Sequence, residues 1–120
     1  MVVKVSKKKT PSYSSDMAFV ISTILESVAD NYIKKIILFG SYAYGKPGKN
    51  SDIDICIIIA DKINSRDIYL KIALALFNKK IISTDLLVYR EKDFITGIQK
   101  NEKGIESVIN SNGRVLYAPK

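Results

Sequence analysis

Residues 40–54 read Gly-Ser-Tyr-Ala-Tyr-Gly-Lys-Pro-Gly-Lys-Asn-Ser-Asp-Ile-Asp, and the rest of the chain is read outward from them. Gly40 and Ser41 follow an apolar run, Ile36-Ile37-Leu38-Phe39, with the make-up of a strand. Ten residues lie between Ser41 and Asp52, and Asp52 and Asp54 open a second apolar run that continues to Ile59. A small polar turn can present backbone N–H groups to phosphate. Two carboxylates at i and i+2 of a strand share one side of it, because strand side chains repeat with period two. The stretch therefore sets a phosphate-binding turn beside two hard oxygen donors, a place for a nucleoside triphosphate and its divalent cation.

Before this stretch, the apolar positions Met17, Val20, Ile21, Ile24, Leu25 and Val28 recur at three- and four-residue spacing. They predict a helix over about 16–31, capped by Ser14 or Ser15. Lys34 and Lys35 lead into the first strand, 36–39, and a short helical turn is expected over 41–44. The breaker-rich loop 45–50 follows. The second strand, 52–59, is apolar on both faces after its first residues, as a central strand covered on both sides would be. A helix over about 66–78, capped by Asn64 or Ser65, places Ile68, Ile72, Ala75, Leu76 and Phe77 on its buried side, with Lys79 and Lys80 complementing its dipole. A third strand spans 83–89. A less regular helical stretch, 93–110, is interrupted by Gly97 and Gly104, and Asn112-Gly113 turns the chain into a last strand, 114–117. The order implies an α/β (α+β) domain, a mixed sheet with helices packed against it. Residues 1–12 are expected to form a basic flexible tail and 13–120 the domain.

The 120 residues suit one domain, and 47% hydrophobic content is ordinary for a globular fold. No apolar run approaches the length of a membrane span, and the basic start, with no apolar segment after it, is not a secretory signal. A cytoplasmic protein is the expectation. Histidine is absent, which excludes Ser-His-Asp and Cys-His catalysis and zinc sites built on His. The single cysteine, Cys56, excludes an intrachain disulfide and reads as a small buried thiol. What remains for catalysis is carboxylates, lysines, hydroxyls and a bound metal. The net charge of +7 favours an anionic partner, but aromatic and basic residues do not interleave as they do where single-stranded bases stack, so nucleic acid is not the favoured ligand.

The third strand offers a third acid. Asp85 shares its side with Leu87 and Tyr89 by the same period-two rule. Side by side, the second and third strands bring Asp52, Asp54 and Asp85 to one end of the sheet. Clustered carboxylates repel, and a hard cation such as Mg²⁺, or Mn²⁺, relieves that repulsion. Two such ions can clamp the attacking and leaving oxygens of an in-line displacement, with Asp85 placed to take a proton from an attacking hydroxyl.

Gly40-Ser41, ten intervening residues and Asp52-Ile53-Asp54 resemble the signature of the DNA polymerase β-type nucleotidyltransferase superfamily, and the short length resembles its minimal branch, the MNT proteins. The resemblance runs from the first helix to the last strand. It implies that Gly40 and Ser41, helped by Lys46, hold the triphosphate. Asp52, Asp54 and Asp85 bind Mg²⁺, with two ions expected, and the same three carboxylates carry the catalysis. The reaction implied is transfer of AMP from ATP to an acceptor, with release of pyrophosphate. One departure stands out: many members carry Arg where this chain has Tyr44, so Lys46 or Lys49 would have to take that role.

The resemblance also bears on the acceptor. Relatives that modify antibiotics carry an added helical domain, for which this chain has no room. MNT proteins commonly act with a small helical HEPN partner, as antitoxin to toxin. A hetero-oligomer and AMP transfer to a partner tyrosine hydroxyl are then implied. An antitoxin that neutralises by contact alone, and a transferase acting on a nucleic-acid end, are the alternatives.

Overall fold

The computed structural model describes residues 12–45, 52–81 and 83–119. Four strands form one sheet in the order β3-β2-β1-β4: β1 (Ile33–Phe39), β2 (Ile53–Ile59), β3 (Thr84–Arg90) and β4 (Arg114–Tyr117). β1 pairs antiparallel with both β2 and β4, while β2 and β3 run parallel. The mixed sheet expected from the order of elements is thus present. β1 and β2 hold the centre, as their unbroken Ile-rich runs require: Ile36 to Phe39 and Ile55 to Ile59 are all buried.

The parallel pair is joined by α3 (Ser65–Asn78), which crosses over the sheet. Asn64 caps it, its side chain accepting the Asp67 N–H at 3.0 Å. Ile68, Ile72 and Leu76 turn inward at three- and four-residue spacing. Phe77, expected on that buried side, is instead 66% exposed. It lies one position past Leu76, and the step of about 100° per residue carries it round to solvent. The helix ends where Lys80 adopts φ 64° and the Ile81 N–H returns to the Leu76 carbonyl at 2.8 Å, seating Ile81 in the core.

α1 (Ser12–Ser27) lies beside α3 on the same face, where Met17, Val20 and Ile24 meet Ile36, Leu38, Ile55 and Ile57. It starts and stops earlier than the expected span, and a 3-10 turn, Asp30–Tyr32, follows. β1 accordingly begins at Ile33 rather than Ile36; its two lysines point to solvent around an irregularity in pairing with β2. On the other face the expected stretch 93–110 is two helices, α4 (Glu91–Lys100) and α5 (Ile105–Asn112). Gly104 does separate them, as N-cap of α5, whereas Gly97 sits inside α4 without breaking it. Phe94 and Ile109 pack on Ile37, Phe39, Cys56 and Ile58. The result is a three-layer domain, helices over both faces. Among the described residues no helix is long and apolar enough to cross a membrane.

Candidate active site

The site assembles at the end of β2 where the strand starts. Asp54 is the register partner of Asp85 across the parallel pair and of Phe39 across the antiparallel one. Because the three strands are in step, the residue after Phe39 reaches the Asp54 side chain. That residue is Gly40, with φ 74° and ψ −159°. A Cβ there would run into the Asp54 carboxylate, lying 2.8 Å from its Cγ, so both backbone conformation and space demand glycine.

From Gly40 the chain enters a one-turn helix, α2 (Ser41–Tyr44), closed by the Ala43 N–H to the Gly40 carbonyl and the Gly45 N–H to the Ser41 carbonyl, each 3.0 Å. Tyr42 and Ala43 pack against the core below, which anchors the turn. A helix start carries N–H groups that no carbonyl of the helix accepts. Here it lies directly beside a carboxylate pair. Lys46 and Lys49, on the loop expected to approach the triphosphate, fall outside the described residues.

Asp54 and Asp85 are register partners on the parallel pair, and their carboxyl groups interact. Burial, then the Asp85 charge and hydrogen bonding toward it, and last the Asp52 charge, push the Asp54 carboxyl up to about 6. Asp85 is exposed and on the side of β3 that also carries Leu87 and Tyr89. Asp52 is exposed just before β2, in electrostatic reach of Asp54. The three acids do not close into a ready-made cage: among the described residues no three acidic, His or Cys side chains converge on one point. That suits Mg²⁺ rather than excluding it. Mg²⁺ is commonly held by one or two carboxylates, completed by waters and substrate phosphates. A carboxyl pushed up by a neighbouring acid lacks a counter-charge, which a hard cation would supply.

Cys56 and Tyr89 follow on the same face but belong to packing. Cys56 is fully buried, and burial together with the Glu106 charge pushes its thiol up to about 12, as befits an inert core residue. The Tyr89 hydroxyl donates to Glu106 Oε2 at 2.9 Å and its ring meets Phe94 edge-on at 5.3 Å. Burial and Glu106 raise the Tyr89 phenol as well. Nothing in the period-two pattern of β3 pointed to Glu106, since the two residues meet only through tertiary packing.

A family profile described as "Nucleotidyltransferase domain" matches residues 21–115, which takes in both the turn and all three acids. The chain belongs to the nucleotidyltransferase domain family. The expected enzyme class, nucleotidyl transfer, is therefore established. No protein of curated function matches the chain in sequence. Among solved structures, a toxin–antitoxin complex with AMP-PNP is 27% identical over 82% of this nucleotidyltransferase and 73% of that chain, with a TM-score of 0.53. The structure of a tri-AMPylated HEPN toxin from Shewanella oneidensis in complex with MNT antitoxin is 20% identical, with TM-score 0.57, over 89% of this chain and 73% of that one. A protein from Sulfolobus solfataricus is 20% identical with TM-score 0.59, covering 96% and 93% of the two chains. These likenesses confirm the fold expected from the sequence.

Proposed function

We propose that this nucleotidyltransferase transfers AMP from ATP to a tyrosine hydroxyl of a HEPN-type toxin and acts as its antitoxin in the cytoplasm. The observation that carries the reading is the contact of Gly40 with Asp54, which joins the phosphate-binding turn to the Asp54–Asp85 pair. Gly40 and Ser41, with Lys46, hold the triphosphate. Asp52 and Asp54, with Asp85, hold Mg²⁺, which when bound offsets the charge of the phosphates and of the carboxylates themselves. The acceptor oxygen attacks the α-phosphorus, its proton passes to Asp85, and the bond from the α-phosphorus to the oxygen bridging it to the β-phosphate breaks, releasing pyrophosphate. The neighbour bound to AMP-PNP and the neighbour complex with an AMPylated toxin support this choice of nucleotide and acceptor.

Intact-mass measurement of the HEPN-type protein encoded beside this gene, incubated with the chain, ATP and Mg²⁺, tests the proposal. One or more AMP-sized additions are expected with the wild type and none with Asp52→Asn or in EDTA. A stable complex with no mass change in any sample would overturn transfer and leave neutralisation by contact.

A further inference from the structure

The outward side of α3 is apolar. Leu70, Leu74 and Phe77 are 52%, 61% and 66% exposed, and Tyr69 stands beside them. At 100° per residue Leu70, Leu74 and Phe77 make one continuous stripe, clear of the Ile68, Ile72 and Leu76 side that faces the core, with Tyr69 between the two. Between this stripe and edge strand β3 runs a groove of about 170 Å³, walled by Tyr69, Ala73, Leu76 and Phe77 on one side and Thr84 and Leu86 on the other. Pockets that take drug-sized molecules start at roughly 300 Å³, so this one is too small to hold a nucleotide. The Thr84 hydroxyl is shielded from water there and meets no hydrogen-bond partner among the described residues. An exposed apolar stripe beside a narrow groove is the form that receives an amphipathic helix.

Charge decides what kind of helix. Arg66, Lys71, Lys79 and Lys80 stand along and at the ends of the stripe, against one acid of α3, Asp67. A second copy docking face to face would bring the same basic rim against itself, and like charges in an interface are unfavourable. We propose that the α3–β3 face docks an apolar helix edged with Asp and Glu on the HEPN-type partner. This rests on the toxin–antitoxin reading and adds to it where the partner sits. The groove reaches Thr84, one residue along the edge strand from Asp85, whose side chain turns to the opposite face of the sheet.

The test measures affinity for the HEPN-type protein from the neighbouring gene by calorimetry. Wild type, Leu74→Asp, Phe77→Asp and Lys71→Glu are compared, with melting temperature as the control for folding. All three positions are exposed, and Lys71→Glu removes no apolar contact, so it remains informative if an Asp variant melts early. The expected result is a loss of at least about tenfold for each Asp variant. Lys71→Glu is expected to weaken binding by about threefold or more, with less effect at high salt. Affinity within twofold of wild type in all three would overturn the proposal, as would absence of a wild-type complex. It would also fail if the chain alone sedimented as a dimer that Leu74→Asp dissolved, or if the variants lost RNA binding and kept the partner. The mass assay reads the other question separately. Variants that lose the partner while the wild-type chain binds it without transferring AMP would support the docking face and refute the transfer.

Discussion

Asp54 is where stability and chemistry pull in opposite directions. Its carboxyl is partly buried, faces Asp85, and is pushed up to about 6, above the ordinary Asp value of 3.8. A carboxyl that holds its proton more tightly folded than unfolded favours the folded state most in acid. That contribution is fully present below about pH 4 and is lost as the pH rises through 6. In metal-free buffer, Asp54→Asn is therefore expected to melt above the wild type at pH 7–8, and the gap should close toward pH 4. Thermal melts in EDTA across that range check it; a variant less stable than wild type at pH 8 would refute the assignment. Nucleotidyl transfer by the same variant should be lost, the mark of a site whose charges are kept for function at a cost in stability.

At the scale of elements, α5 is fastened to β3 by the Tyr89–Glu106 hydrogen bond, and Gly97 of α4 makes room for it. A Cβ on Gly97 would come within 2.6 Å of Glu106 Cγ and Cδ. Glycine inside a helix costs about 1 kcal/mol relative to alanine, and the hydrogen bond it accommodates is worth a similar amount. The two effects separate in a double-mutant cycle. Gly97→Ala alone should be neutral or destabilising. In a Glu106→Ala background, where the collision is gone, the same change should stabilise by about 1 kcal/mol. Urea denaturation of the four proteins measures it, and a Gly97→Ala gain of equal size in both backgrounds would show that Glu106 does not occupy that space. The same physics corrects the sequence expectation. Gly97 looked like a helix interruption, but helix hydrogen bonding tolerates one glycine when the residue is needed for packing from another element.

Across the whole molecule, the carboxylate pair depends on the crossover. β2 and β3 are parallel, so only α3 can bring Asp85 into register with Asp54, and α3 is held to the sheet by Ile68, Ile72 and Leu76. Ile72 is fully buried in the larger core cluster, beneath α1 and α3. Ile72→Ala is expected to cost about 2–5 kcal/mol. It should lower transferase activity at temperatures well below the new midpoint, because loosening α3 loosens β3. Denaturation curves and activity against temperature check this together. Full activity with undiminished stability would mean that α3 does not set the register.

The sequence by itself determined the elements that carry the candidate site. The apolar runs of β1 and β2, the turn after Gly40, the placing of Asp54 and Asp85 on strands and the capped crossover helix were readable, because each rests on local spacing and backbone geometry, whereas Asp52, expected as the first residue of the second strand, lies just before it. Local spacing cannot say which strands become neighbours. Only the tertiary structure decided that Asp54 faces Asp85 and not merely shares a sheet with it, and that Gly40 is needed because a carboxylate from another strand occupies its Cβ position. It alone turned Phe77 to solvent and left the α3–β3 groove open. The reason is common to all of these: the sequence pattern records which side of its own element a residue occupies, while contact between elements is set by register and packing summed over many residues distant in the chain.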